Sequence, residues 1–127
     1  MKAHFIAAVS LLAGSTIGGL AVQSLHAQAR PPVYLVGEIE ISDPEGYRRD
    51  YLPRAQALIK QHGGRAVAGG SATALAGEPP KSRVAIYAWD SMEQLMGWFN
   101  SPEYQETRKI GEKYARYRNL AVPGVAP

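Results

Sequence analysis

From Val33 to Ile41 the chain alternates residue by residue. Leu35, Ile39 and Ile41 fall on one side, and Tyr34, Val36, Glu38 and Glu40 on the other. That is the period of a strand with one buried face. The period then lengthens. Tyr47, Tyr51, Ala55, Leu58 and Ile59 recur at helical spacing and predict a helix with one apolar stripe. Asp43 suits the N-cap, Pro44 the first helical position, and Glu45 the positive helix end. Pro53 lies inside the run. Without an N–H it is expected to kink the helix or restart it. His62-Gly63-Gly64 closes the element, because glycine accepts the left-handed cap conformation.

The second half repeats this logic. Arg65 to Leu75 is rich in glycine and alanine and predicts a weak, bent or edge strand, interrupted near Gly69-Gly70. Gly77-Glu78-Pro79-Pro80 is a turn, and Arg83 to Trp89 the third strand. Asp90 or Ser91 caps a short helix carrying Leu95, Met96, Trp98 and Phe99. Asn100-Ser101-Pro102 breaks that helix, and Ser101-Pro102-Glu103 starts another segment reaching about Glu112. Arg116 to Val122 is the last strand. The order is strand, helix, strand, strand, helix, strand. Tyr87 and Trp89 share one face of the third strand, but alternation alone does not say which.

The first residues form a separate pattern. A short basic start, Met1-Lys2-Ala3-His4, precedes an uncharged run from Phe5 to Leu25, and Ala27-Gln28-Ala29 fits the small-x-small cleavage rule. Residues 1–29 therefore read as a secretory signal peptide, cleaved after Ala29 or Ala27, with a periplasmic or secreted product. A retained anchor is the alternative reading, since the run is long enough to span a bilayer. Residues 30–127 leave room for a single domain.

Composition narrows the chemistry. The chain has 127 residues and no cysteine, so disulfides, thiolate metal sites and cysteine nucleophiles are excluded. Formal charge is +3, Lys2 supplies one of those charges, and acids and bases intersperse elsewhere. No Lys/Arg block of the kind that neutralises phosphates is present, so nucleic acid is not an expected partner. Arg48-Arg49 and Arg116-Tyr117-Arg118 read as solvated basic clusters. The sequence lacks a Walker loop, a dinucleotide fingerprint and, around Ser71, a nucleophile elbow.

Four segments, EIEISDPEGYRRDY, GGRAVAGG, PPKSRVAIYAWDSMEQ and WFNSPEYQETR, in that order between Val33 and Val122, resemble the domain-of-unknown-function family 1330. The resemblance implies the dimeric α+β-barrel superfamily. Its protomer is ferredoxin-like, βαββαβ, with a four-stranded antiparallel sheet and helices on one face; two sheets pair face to face in a homodimer. The superfamily includes small monooxygenases, haem-degrading enzymes, lactone isomerases and ligand-sensing modules, so the fold does not choose a function.

Glu38 is the first candidate site residue. On a dimer-interior face its carboxylate would be desolvated and could act as a general base or hold a polar ligand. The competing reading is an ion pair with Arg65, Arg83 or Arg118, or exposure at a sheet edge. Tyr34, Tyr87, Trp98 and Tyr104, with Trp89, could line an apolar pocket with polar tips; core or dimer packing competes. Trp98 and Asn100 resemble the tryptophan and asparagine of haem-degrading relatives, but those need an iron-holding histidine. After the leader only His62 remains, beside a helix C-cap. No haem, zinc, iron or other cofactor is expected. Three readings follow. The first is an exported homodimer binding a small, partly apolar molecule between sheet and helices. The second is a cofactor-free isomerase or monooxygenase using Glu38 as base, with Tyr34 and Tyr87 as hydrogen-bonding partners. The third is a structural or interaction protein of the cell envelope, which would touch the membrane only through a retained leader.

Overall fold

The computed structural model describes residues 30–80 and 83–127, so the leader and its cleavage site lie outside the described residues. Strand β1 (Val33–Ile41) leads through the Asp43 cap into a helical run, α1. This run comprises Pro44–Gly46, a π-helical turn Tyr47–Tyr51, and Leu52–Gln61. Strands β2 (Arg65–Ser71) and β3 (Arg83–Trp89) follow, then α2 (Met92–Phe99), α3 (Pro102–Gly111) and β4 (Ala115–Pro123). The sheet order is β2-β3-β1-β4, antiparallel throughout. This is the expected ferredoxin-like α+β arrangement, and Pro31–Val125 is one compact unit.

The caps work as the sequence indicates. The Asp43 carboxylate accepts from Gly46 N–H at 3.1 Å, Ser91 Oγ from Gln94 N–H at 3.1 Å, and Ser101 Oγ from Tyr104 N–H at 3.2 Å. Each satisfies a donor that a helix start leaves without a partner. At the other end of α1, Gly63 takes φ +85°. Gly64 N–H reaches Ile59 O at 2.8 Å and Gly63 N–H reaches Lys60 O at 3.1 Å, the paired bonds of a Schellman closure.

Pro53 restarts the helix, as expected: it falls in the first turn of the segment Leu52–Gln61. The turn before it widens, so that Leu52 N–H bonds to Tyr47 O five residues back. This π turn accommodates the proline ring, which would otherwise crowd a carbonyl of the preceding turn. The irregularity of β2 differs in place from the expectation. The register shift lies between Ala66 and Ala68, not at Gly69-Gly70, and the strand ends at Ser71 rather than Leu75. β2 is nonetheless an edge strand, where an extra residue disturbs one ladder only.

Cross-strand register settles the faces. Val33 lies opposite Trp89, Leu35 opposite Tyr87, Gly37 opposite Ala85, and Ile39 opposite Tyr117. All of these point to the helices. Their neighbours form the open face: Tyr34, Val36 and Glu38 on β1, Val84 and Ile86 on β3, and Arg118, Leu120 and Val122 on β4. The core is two adjoining clusters on the helix side. Trp89, Trp98, Leu95 and Tyr104 pack with Val33, Leu35 and Ile59 in one. Tyr47, Tyr51, Ala55, Ile39, Ala85 and Ala115 form the other.

Candidate functional site

A cleft of about 520 Å³ opens between α1 and the β2–β3–β1 side of the sheet. Tyr47, Arg48, Leu52 and Gln56 line it from the helical run, and Ile39, Arg83, Ala85 and Tyr87 from the sheet, with Ala66–Gly69 of the edge strand closing one side. Helical phase explains the first group: residues one turn apart fall on the same side, and the π turn shifts that phase at Tyr47. Strand parity explains the second, since Ile39 lies opposite Arg83, while Tyr87 and Ala85 alternate along the same face.

Beneath the cleft is a void of about 40 Å³. Ile39, Tyr47, Leu52, Ala85 and Tyr87 line both spaces, so these side chains are the wall between them. The inner void is also bounded by Tyr51, Trp98, Tyr104, Tyr117 and Asn119. Gly37 and Ala85, opposite each other in the sheet, leave the room. The rings are in contact: centroids are 5.1 Å apart for Tyr47 and Tyr51, 5.6 Å for Tyr51 and Tyr117, and 4.1 Å for Trp98 and Tyr104.

Electrostatics here are dominated by burial. It pushes the Tyr47 hydroxyl up to about 12, with Tyr87 adding to the rise and the Arg83 charge opposing it. Burial also raises Tyr51, helped by Tyr104, Tyr117 and Tyr47. Tyr87, Tyr104 and Tyr117 are raised mainly by burial as well. These hydroxyls are neutral at physiological pH and can donate. Among the described residues Trp98 Nε1 is buried without a partner. The Tyr117 hydroxyl is buried beside that of Tyr51, and their proximity shifts both, but the pair falls short of good hydrogen-bond geometry. All three side chains line the inner void. Behind the π turn, Asp50 accepts from Arg49 Nε at 2.9 Å and from the Tyr114 hydroxyl at 2.5 Å. Those two hydrogen bonds hold its carboxyl down at about 2.

The residues singled out from the sequence divide between the two sides of the sheet. Tyr87, Trp98 and Tyr104 lie on the helix side; Trp98 and Tyr104 are each 2% exposed, and all three border the inner void. Glu38 and Tyr34 lie on the open face. Glu38 is opposite Arg118, its carboxylate 3.9 Å from the guanidinium, with side-chain exposures of 38% and 69%. Glu38, Tyr34 and Tyr87 therefore do not converge within one protomer, because Tyr34 and Tyr87 project to opposite faces. Trp89 is also core, its Nε1 donating to His62 O at 3.1 Å, and Asn100 is the C-cap of α2. Sequence reasoning placed Tyr47 and Tyr51 in the core stripe and Arg48 on a solvated face, and did not single out Gln56 or Tyr117. The available signal was tyrosine where a core stripe normally takes leucine: a hydroxyl carried inward needs a partner. Among the described residues no group of three or more metal-ligating side chains is placed to hold an ion, and no helix is long and apolar enough to cross a membrane.

The family model for the domain of unknown function DUF1330 matches residues 32–125. The chain belongs to this family. Among solved structures, this DUF1330 chain is similar to a protein of unknown function from Rhodopseudomonas palustris. Identity is 18% and the TM-score 0.61, over 83% of this chain and 95% of that one. It is also similar to SnoaB, a cofactor-independent oxygenase from Streptomyces nogalater, at 12% identity and a TM-score of 0.57, over 76% of this chain and 96% of that one. At these identities the likeness establishes the shared fold. No curated protein matches the DUF1330 chain.

Proposed function

We propose that this protein is an exported homodimer that takes a small, partly apolar molecule into the cleft between α1 and the sheet. The cleft carries the reading. Its volume of about 520 Å³ lies within the roughly 300–1,000 Å³ typical of small-molecule sites. It combines apolar walls with a few polar side chains, Arg48, Gln56, Arg83 and two tyrosines. Support for the dimer comes from the open sheet face, where Leu120 and Val122 are 44% and 45% exposed beside Val36 and Ile86. An apolar sheet face without helices calls for a covering layer. Support for export comes from the leader, whose removal would leave Arg30 or Gln28 as the first residue.

Native mass spectrometry of the protein purified from its own cell envelope tests the proposal. A dimer of processed chains carrying a bound small molecule is expected, with Gln56→Trp, which plugs the cleft mouth, abolishing that bound mass. A ligand retained equally by Gln56→Trp would move the site elsewhere. An intact leader on a soluble cytoplasmic protein would remove export.

A second reading, a cofactor-free isomerase or monooxygenase, draws on the oxygenase description of SnoaB. It needs a base at the site. The candidate base, Glu38, is across the sheet from the cleft and beside Arg118, so catalysis through it calls for a site formed between two open faces. Glu38→Gln separates the possibilities: lost turnover in a folded dimer supports the base, whereas altered stability alone assigns it to pairing with Arg118.

A further inference from the structure

We propose that the cleft takes a flat aryl carboxylate of two rings in line, with its carboxylate between Arg48 and Arg83 at one end and its apolar body lying along the sheet. The proposal rests on the cleft being a binding site and adds the chemical class and length of the ligand.

The cleft is polarised along its length. Arg83 begins β3, opposite Ile39 of β1 and Ser71 of β2. The chain leaves β1 at Ile41 and enters α1 at Pro44, so the first turns of α1, with Arg48, lie over that same end of the sheet. Gln56 and Tyr87 mark the other end, where Tyr87 pairs with Ala66 of the edge strand. Both arginines line the cleft, and no described aspartate or glutamate does. Among the described residues neither forms an ion pair, whereas the adjacent Arg49 is held by Asp50 and Arg65 by Asp90. The Arg83 charge is felt by the hydroxyls of Tyr47 and Tyr87, which both line the cleft. One end is therefore cationic without a counter-charge, and the other is neutral.

Chemistry and size follow from that polarity. Guanidinium forks match an anion, and a carboxylate conjugated with a ring presents both oxygens in the plane of its body. A tetrahedral phosphate is not flat, and an ammonium would be repelled. Both arginines are exposed, so the carboxylate meets them without losing all of its water, which keeps its desolvation cost small. Beyond them the lining turns apolar. Ile39, Leu52, Ala85 and the rings of Tyr47 and Tyr87 form the floor and close off the inner void, so the ligand lies wholly above it. Aromatic faces there suit a flat ring. From Arg48 to Gln56 the helical run rises about 12 Å, and from Arg83 to Tyr87 the strand advances about 13 Å. A single ring is shorter than that span, and two rings in line with a carboxylate match it.

Calorimetric titration of the full chain tests this with four probes: biphenyl-4-carboxylate, biphenyl-4-carboxamide, benzoate and biphenyl-4-yl phosphate. Biphenyl-4-carboxylate should fill one site per chain. It should bind about tenfold more tightly than the carboxamide, the usual size of one lost charge-assisted hydrogen bond, and more tightly than benzoate. Arg48→Gln with Arg83→Gln should erase the preference over the carboxamide and leave carboxamide affinity unchanged. Both positions are exposed, so the circular dichroism spectrum should persist. Arg54→Gln removes a positive charge from an exposed position of α1 outside the cleft and should leave the preference intact. Gln56→Trp should weaken both of these biphenyl probes alike. Equal affinity for carboxylate and carboxamide, a preference that survives loss of both arginines, or one lost equally in Arg54→Gln would overturn the carboxylate assignment while leaving the cleft as a binding site. Tighter binding of the phosphate would overturn it too, and benzoate binding as tightly as the biphenyl acid would overturn the length. If no probe saturates one site per chain, or Gln56→Trp leaves binding unchanged, the cleft reading falls as well.

Discussion

Ser101→Ala should destabilise the protein more than the same change at Ser91, although both serines cap helices. Ser101 Oγ donates to Trp98 O at 2.8 Å and accepts from Tyr104 N–H at 3.2 Å, and the residue is 7% exposed. Ser91 Oγ accepts from Gln94 N–H at an exposed position. Removing an exposed cap costs about 1 kcal/mol, because water takes over the freed N–H. At Ser101 water has no access. Trp98 O keeps its bond from Ser101 N–H at 3.1 Å, so the group left stranded is Tyr104 N–H. A buried donor without a partner costs about 1–3 kcal/mol. The expected losses are therefore about 2–3 kcal/mol for Ser101→Ala and about 1 kcal/mol for Ser91→Ala. In a domain of this size 2 kcal/mol lowers Tm by roughly 8–16 °C. Urea unfolding followed by far-ultraviolet circular dichroism reads both variants, with the m-value as a check that the unfolding transition is comparable. Costs within about 0.5 kcal/mol of each other would refute the argument from burial. Ser101 sits between the two helices that carry Trp98 and Tyr104, so its loss should also alter tryptophan fluorescence at the inner void.

Gly64→Ala should cost about 1–3 kcal/mol through overpacking. The new methyl would lie 2.5 Å from the Trp89 ring and 2.7 Å from Ile59 Cγ2, and Trp89 is fully buried; a loss below about 0.5 kcal/mol in chemical denaturation would show that the ring yields. If the proposed dimer forms through the open face, Leu120→Glu, at an exposed position there, should halve the mass seen by light scattering while leaving the circular dichroism spectrum intact; a mass unchanged from the parent protein would count against a dimer through that face. At alkaline pH the buried tyrosines should set the limit of stability. Their hydroxyls ionise later in the folded than in the unfolded state, so their contribution is complete below about pH 10 and is lost as pH rises, through about 12 for Tyr47. Tyrosinate absorbance from these residues should appear together with the loss of circular dichroism; its appearance at ordinary phenol pH in a still-folded protein would contradict their burial.

Most of the architecture was legible because it is written in local periodicities. Two-residue alternation marked β1 and separated Leu35 and Ile39 from Glu38. Asp43, Ser91 and Ser101 announced their helices through side chains that bond a few residues ahead. The site was less legible because it depends on non-local register. Nothing within β3 tells which side Tyr87 faces; only its pairing opposite Leu35 does, and that pairing separates it from Tyr34. The bulge at Val67 was similarly hidden, since two glycines nearby gave a stronger local signal than the ladder that actually slips. Pro53 marked where the helix restarts, but not that the restart would be preceded by a widened turn over Tyr47–Tyr51.

The separation of the two sheet faces has an evolutionary consequence. Each strand is a tape with two tracks. On β1, Val33, Leu35, Gly37 and Ile39 face the helices, the cleft and the inner void, while Tyr34, Val36, Glu38 and Glu40 face away. Substitutions on one track leave the shape of the other intact. Lineages sharing this fold can therefore remodel the helix-side cleft while keeping the open face, or remodel the open face while keeping the cleft. The same arrangement forbids a small step: inserting one residue in β1 exchanges the tracks beyond it and damages both at once.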